Sequence, residues 1–229
     1  PNPKPQTPNP FNFSLSILIF NINKKEKIKI LAINASSVDD DFLQRIFSKE
    51  EFDFTSNTTK TLNFSEIESQ NLIVLNELKN INTALQTSLK SFKSNGGSIL
   101  IIPANDIEIE AYNQFLVGLS NTTILQSITN EIKITDINFS DPLFKNVFEK
   151  KVANFQYPMV KKYNRIKTSV PAILSFQDKS PFLIGTDGLY LFTASHSKEN
   201  SNFKNSPLIV PTLYNIGLKS LKSAQLYNI

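Results

Sequence analysis

NLIVLNELKNINTALQTSLKSFKSNGGSILIIPAN, residues Asn71–Asn105, holds the change of hydrophobic period that decides the fold. Leu72, Ile73, Val74 and Leu75 form a short continuous apolar run, the pattern of a strand buried on both faces. Leu78, Ile81, Leu85, Leu89 and Phe92 then recur at spacings of three and four, which places them on one face of a helix. Asn95-Gly96-Gly97 ends that helix, since glycine takes the left-handed conformation that a helix C-terminus favours. Ile99–Ile102 is a second buried-strand run. It stops at Pro103-Ala104-Asn105, a turn that supplies no nucleophile.

The same alternation extends in both directions. Upstream, Ile28–Ile33 reads as the strand that founds the main sheet, and Asp39, Asp40 and Asp41 precede Phe42, Leu43, Ile46 and Phe47 at helical spacing, where acids suit the N-cap and the positive end of the helix dipole. Phe52-Asp53-Phe54 fits the next strand. Downstream, Asn105 and Asp106 are placed to cap a helix with Glu108 and Glu110 in its first turn and Ala111, Tyr112, Phe115, Leu116 and Leu119 on its apolar face. Repeated β then α predicts a parallel sheet with helices on both faces and right-handed crossovers. Beyond Asn121 the pattern turns β-rich: Ala172–Phe176, Phe182–Ile184 and Leu189–Phe192 are short strands, Thr186-Asp187-Gly188 marks a hairpin, and a helix near Pro211–Leu218 closes the chain. The expected organisation is a proline-rich linker or tail (1–12), a strand and turn (13–26), an α/β core (27–120) and a β-rich extension with a C-terminal helix packed on the same sheet (121–229).

Composition narrows the function. The 229 residues are 40% hydrophobic with 18 phenylalanines, enough to fill a core. The net charge of +4 is almost wholly lysine, with Arg45 and Arg165 the only arginines. Arginine is the residue expected for bidentate phosphate or base contacts, so no nucleic-acid partner is expected. Lys24, Lys25, Lys27 and Lys29, and Lys145, Lys150, Lys151, Lys161 and Lys162 beside Phe148, Phe155, Tyr157 and Tyr163, read as solvated faces, with acidic lipid, polysaccharide or protein as the alternative partner. No run approaches the roughly 20 apolar residues of a membrane helix. The chain starts at Pro1, so a processed or excised piece is expected.

The chemical inventory is thin. The chain has no cysteine and one histidine, His196, so neither a thiolate nucleophile nor a typical zinc site is available, and no cofactor or metal is expected. His196 lies between Ser195 and Ser197 in a polar segment and reads as a surface loop histidine, with a general base as the sharper alternative. Asp39-Asp40-Asp41 reads as capping in preference to metal binding. Glu108 and Glu110 diverge on a helix and do not face one another as a glycosidase pair must. Gly96-Gly97 precedes a strand, so it is a turn and no phosphate cradle. Asn34-Ala35-Ser36-Ser37 follows the first sheet strand and offers backbone amides to an anion, although small polar residues also suit a tight turn. In open α/β sheets, sites form at the carboxyl ends of the strands. The candidate ligand-binding residues are therefore Asn34, Ser36, Ser37, Glu77, Asn105 and Asp106, beside Asn76 and Pro103.

Asn71-Leu-Ile-Val-Leu-Asn-Glu-Leu, the following helix, Phe92-Lys-Ser-Asn-Gly-Gly-Ser-Ile-Leu-Ile-Ile-Pro and Asp141-Pro-Leu-Phe resemble class I glutamine amidotransferase-like domains, and more narrowly those of Bacteroidetes envelope proteins with an N-terminal double-transmembrane, BatA-like region. The likeness covers about Lys27–Phe148. In active amidotransferases the strand matching Ile99–Ile102 runs into a turn bearing the cysteine, with a His-Glu pair downstream. Here Pro103, Ala104 and Asn105 occupy that turn, so no catalytic residue carries over. The resemblance implies a three-layer, flavodoxin-like parallel sheet with an antiparallel C-terminal extension. It also implies an extracytoplasmic, periplasmic part of a membrane-anchored bacterial protein, anchored by a segment outside this chain. On that footing the expected role is a non-catalytic interaction or ligand-binding module for an unknown protein or small ligand at the envelope. The alternatives are a hydrolase using carboxylates and His196 on envelope carbohydrate or peptide, and a domain that merely spaces or gates its anchor.

Overall fold

The computed structural model describes residues 26–35, 40–47, 50–144 and 156–221. It is a mixed α/β structure around one nine-stranded sheet. β1 (Ile28–Asn34) pairs in parallel with β2 (Phe52–Thr58) on one side and β3 (Leu72–Leu78) on the other. β4 (Ser98–Pro103) runs parallel to β3. The remaining strands are β5 (Thr122–Ile137), β6 (Met159–Thr168), β7 (Ala172–Phe176), β8 (Pro181–Thr186) and β9 (Leu189–Phe192). β9 lies parallel to β4, and from it the sheet continues antiparallel through β8, β7, β5 and β6. The strand–helix–strand reading of Asn71–Pro103 and the hairpin between β8 and β9 are both present. In that hairpin Asp187 (φ 46) and Gly188 (φ 75) take the positive angles of a primed turn, whose twist matches paired strands.

Alternating strand residues feed two cores. Ile28, Ile30 and Ala32 of β1 join Phe42 and Leu43 of α1 (Asp41–Ile46) and Leu213 and Ile216 of α4 (Ile209–Lys219). Leu31 and Ile33 join Leu85, Leu89 and Phe92 of α2 (Thr83–Ser94) and Tyr112, Phe115 and Leu116 of α3 (Ile109–Leu116). Side chains alternate across a strand, so the near-continuous apolar runs serve both faces. Each fully buried large side chain contributes about 2 kcal/mol.

The helices begin later than the apolar spacing predicts. Asn82 caps α2, its side chain accepting from the Leu85 amide at 2.9 Å. Leu78 therefore ends β3 and Ile81 lies in the link, although both stay in the same core. At the other end Gly96 (φ 82) permits two closing bonds, from the Gly97 amide to the Phe92 carbonyl (2.9 Å) and from the Gly96 amide to that of Lys93 (3.0 Å). α3 starts at Ile109 with Glu108 at its N-cap, so Asn105 and Asp106 do not cap it. Asp40 does occupy the N-cap of α1, but its carboxylate makes no cap bond because other side chains claim it.

The antiparallel half curls. Residues 193–202, directly after β9, run along the outer edge of β6: the Asn164 amide donates to the Thr193 carbonyl at 2.7 Å and the Lys161 amide to the Asn200 carbonyl at 2.9 Å. Asn200 adds side-chain bonds to both the amide and the carbonyl of Lys162 (2.8 and 3.0 Å). A sheet edge that would attract another chain is thereby covered. Inside the curl Tyr163, Phe176, Phe182, Phe192 and Phe203 stack in series. Tyr163 is thus a core residue and no part of a lysine-flanked surface. Among the described residues no helix is long and apolar enough to cross a membrane. The expected proline-rich tail and the strand at Phe13–Ile19 lie outside the described residues.

Candidate functional site at the strand ends

β1 leads to β2 on one side of the sheet and β3 lies on its other side, so the switch point at which open α/β sheets carry their crevice falls at the carboxyl ends of β1 and β3. Asn34 and Asn76 end these strands as register partners, and both are buried. The Asn76 amide donates to Asn34 Oδ1 at 2.8 Å, and Asn34 Nδ2 donates to Asp40 Oδ2 at 3.0 Å and to Ser56 Oγ at 2.8 Å. Ser56 Oγ also donates to Asp40 Oδ2. Asparagine is suited to this position because one side chain both accepts and donates. The network ties β1, β2, β3 and the start of α1 together.

Glu77 follows at a break in the β3–β4 register, between Asn76 and Leu78. Its φ is 55, whereas the other described non-glycine residues with positive φ, Lys179 and Asp187, sit in hairpin turns. A left-handed residue with a Cβ costs roughly 1–2 kcal/mol, and such strain concentrates where a side chain must be aimed. Tyr112 braces the break, its buried hydroxyl donating to the Leu78 carbonyl at 2.6 Å. Burial raises the Tyr112 pKa well above the usual phenol value. The Glu77 carboxylate faces Lys204, Oε1 to Nζ 4.0 Å, with side-chain exposures of 11% and 18%. The same ammonium lies 4.3 Å above the Phe42 ring, a cation–π contact.

The other expected site residues are placed differently. Asp106 pairs with Lys79 at 3.2 Å on the open surface, and the Lys79 hydrogen bond and charge hold its carboxyl below the ordinary range. Asn105 lies in the same exposed turn. Glu108 accepts from Asn80. Ser36 and Ser37 lie outside the described residues. The crevice thus brings together Asn34, Asn76 and Glu77. It also draws in Asp40, Ser56 and Lys204, which had no local signal for it: Lys204 sits in a polar stretch far along the chain.

His196 requires a correction. It is not a surface histidine: it is fully buried, with ring centroids 4.4 Å from Phe192, 5.1 Å from Phe203 and 6.0 Å from Phe182. Neither ring nitrogen has a hydrogen-bond partner among the described residues. Burial, with a further contribution from the Lys204 charge, pushes its pKa down to about 3, so the ring is neutral at pH 7. Flanking serines suggested solvent, but the curl of the antiparallel strands carries the segment inside. Among the described residues no cluster of three or more histidine or acidic side chains could hold a metal.

No protein-family model matches the chain, and no curated protein matches it. Solved structures do share its fold. A ThuA-like protein from Bacteroides uniformis aligns with TM-score 0.57 at 13% identity, over 86% of this chain and 90% of that one. A GMP synthase component from Thermoplasma acidophilum aligns with TM-score 0.53 at 11% identity, over 85% and 94%. A β-galactosidase from the psychrophilic Marinomonas ef1 aligns with TM-score 0.52 at 13% identity, over 91% of this chain. The chain spans about a third of that enzyme's length, 32%. At these identities the likeness carries the fold, which is that of the ThuA-like protein and the synthase component.

Proposed function

We propose that the chain is a non-catalytic interaction or ligand-binding module, the extracytoplasmic part of a membrane-anchored bacterial envelope protein of the BatA-like kind. Its scaffold in this reading is a three-layer, flavodoxin-like sheet of the class I glutamine amidotransferase type, in which β2-β1-β3-β4-β9 follow the order 2-1-3-4-5. The observation that supports it is how the strand-end polar groups are used. Asn34, Asn76, Asp40 and Ser56 are spent on one another, and of the two described acids there Asp40 is held by Asn34 and Ser56 while Glu77 is matched by an ammonium. A hydrolytic carboxylate pair needs two acids free to face one another across a gap, whereas Asp40 is engaged by its neighbours, and thiolate chemistry needs a cysteine that the sequence does not have. His196 is sealed among phenylalanine rings, away from any substrate.

A carboxylate-dependent hydrolase is the second reading, favoured by one observation: the strained backbone of Glu77. Purified protein and its Glu77→Gln variant, incubated with chromogenic glycosides, esters and envelope-type peptides, separate the two. The module reading expects no turnover above buffer for either protein, and saturable rises in melting temperature with a bound ligand. Turnover by the parent that Glu77→Gln abolishes overturns it.

A further inference from the structure

At the far end of the sheet from Glu77, where β4 and β9 begin, two open clefts of about 480 and 340 Å³ share Gly118, Leu119, Thr186 and Asp187 and so form one groove. The two ends of the sheet are separated by the length of β4, roughly 20 Å. One end of the groove is cationic. Lys90 Nζ donates to the Gln114 carbonyl at 3.1 Å and Lys93 Nζ to the Asp187 carbonyl, which uses one of three hydrogens on each ammonium. The middle is bare: Val117 is 69% exposed, and a Cβ added at Gly118 would meet nothing within 4 Å. Below the other end lies a narrow recess walled by Leu116, Val170, Ile184, Leu189 and Leu191. Ser120 lines both groove and recess, and its hydroxyl oxygen is buried with no hydrogen-bond partner among the described residues. An unmade bond of that kind is unfavourable, and a ligand offering a partner recovers it.

We propose that this groove binds an extended peptide segment, with an acidic side chain at Lys90 and Lys93, a small aliphatic side chain over the recess, and a main-chain group bonded to Ser120. Charge complementarity selects the acidic end, since two lysines face one carboxylate, Asp187. Among the described residues no aromatic side chain lines the clefts or the recess to stack a sugar ring or a base, whereas aliphatic walls suit a peptide. The site is independent of the crevice reading, because it shares no residue with it.

The test is a titration of isotope-labelled protein with acetyl-Glu-Glu-Val-Ala-amide, followed by amide chemical shifts, beside the counterpart acetyl-Lys-Lys-Val-Ala-amide. Saturable shifts are expected at 117–121 and 186–188 with the acidic peptide only. The Lys90→Glu, Lys93→Glu double variant is expected to weaken binding about tenfold or more, and Ser120→Ala to weaken it by a smaller factor. Absence of saturable shifts up to about 5 mM peptide, equal binding of the lysine peptide, or unchanged affinity in the charge-reversed variant overturns the proposal.

Discussion

Phe203 and Lys204 are adjacent in one short 3₁₀ turn (Phe203–Asn205) yet their side chains have different partners. The Phe203 ring packs against His196, Phe182 and Phe192, while the Lys204 ammonium reaches Glu77 and the Phe42 ring in the crevice. The two side chains make unequal contributions to stability. Phe203→Ala opens a cavity in the aromatic core and is expected to cost about 3–5 kcal/mol. Lys204→Met loses a part-exposed ion pair and is expected to cost about 1 kcal/mol. Urea denaturation of both variants checks the order; equal losses would show that the turn does not divide the two regions.

Strain at Glu77 has its own signature. Both Glu77→Ala and Glu77→Gly remove the carboxylate that faces Lys204, but only glycine relieves the left-handed backbone. The glycine variant is expected to be more stable than the alanine variant by about 1 kcal/mol, in the same denaturation assay.

His196 makes stability depend on acid. Its folded pKa, about 3, lies below the ordinary 6.5, so between those values the unfolded chain binds a proton that the folded protein does not. The stability contributed by the neutral ring is complete above about pH 6.5 and falls by up to about 1.4 kcal/mol per pH unit as the pH drops toward 3. His196→Phe puts a slightly larger aromatic ring in its place and removes both buried nitrogens. It is expected to raise stability at pH 7 by about 1–3 kcal/mol and to flatten the loss between pH 6 and 4 by up to about 3 kcal/mol. Melting curves across that range, parent beside variant, give the answer.

Asn34→Asp tests the crevice network. The donor that now bonds Asp40 at 3.0 Å becomes a second carboxylate beside it. About 2–3 kcal/mol should be lost at pH 7. Because one of two facing acids protonates readily and then donates to the other, the difference from the parent is expected to shrink toward pH 4. A deficit that does not change with pH would mean that shape, and not charge, sets the requirement for asparagine.

What could be read in the residues was the local period. Leu72–Leu75 and Ile99–Ile102 are apolar without a break because β3 and β4 are covered on both faces, and Gly96-Gly97 marks the end of α2 through its backbone geometry. Pairing was less accessible. Leu189–Phe192 reads as a short strand, but nothing in four residues says that it lies parallel to β4. The candidate site divides in the same way. Asn34 and Glu77 follow from the rule that sites form at strand ends, whereas Lys204 comes to Glu77, and Phe182, Phe192 and Phe203 come to His196, only through tertiary packing. Glu77 carries no glycine to announce its left-handed angle.

The place of β9 also governs the order in which the molecule can be completed. As the chain leaves a ribosome, β1 to β4 emerge early, but the strand that pairs with the other edge of β4 is not complete until residue 192 has been added. During that interval the seam of β4 is open, and its backbone groups are available to any other extended chain. The long-range closure joins the parallel and antiparallel halves of one sheet, whose assembly waits on its last strand.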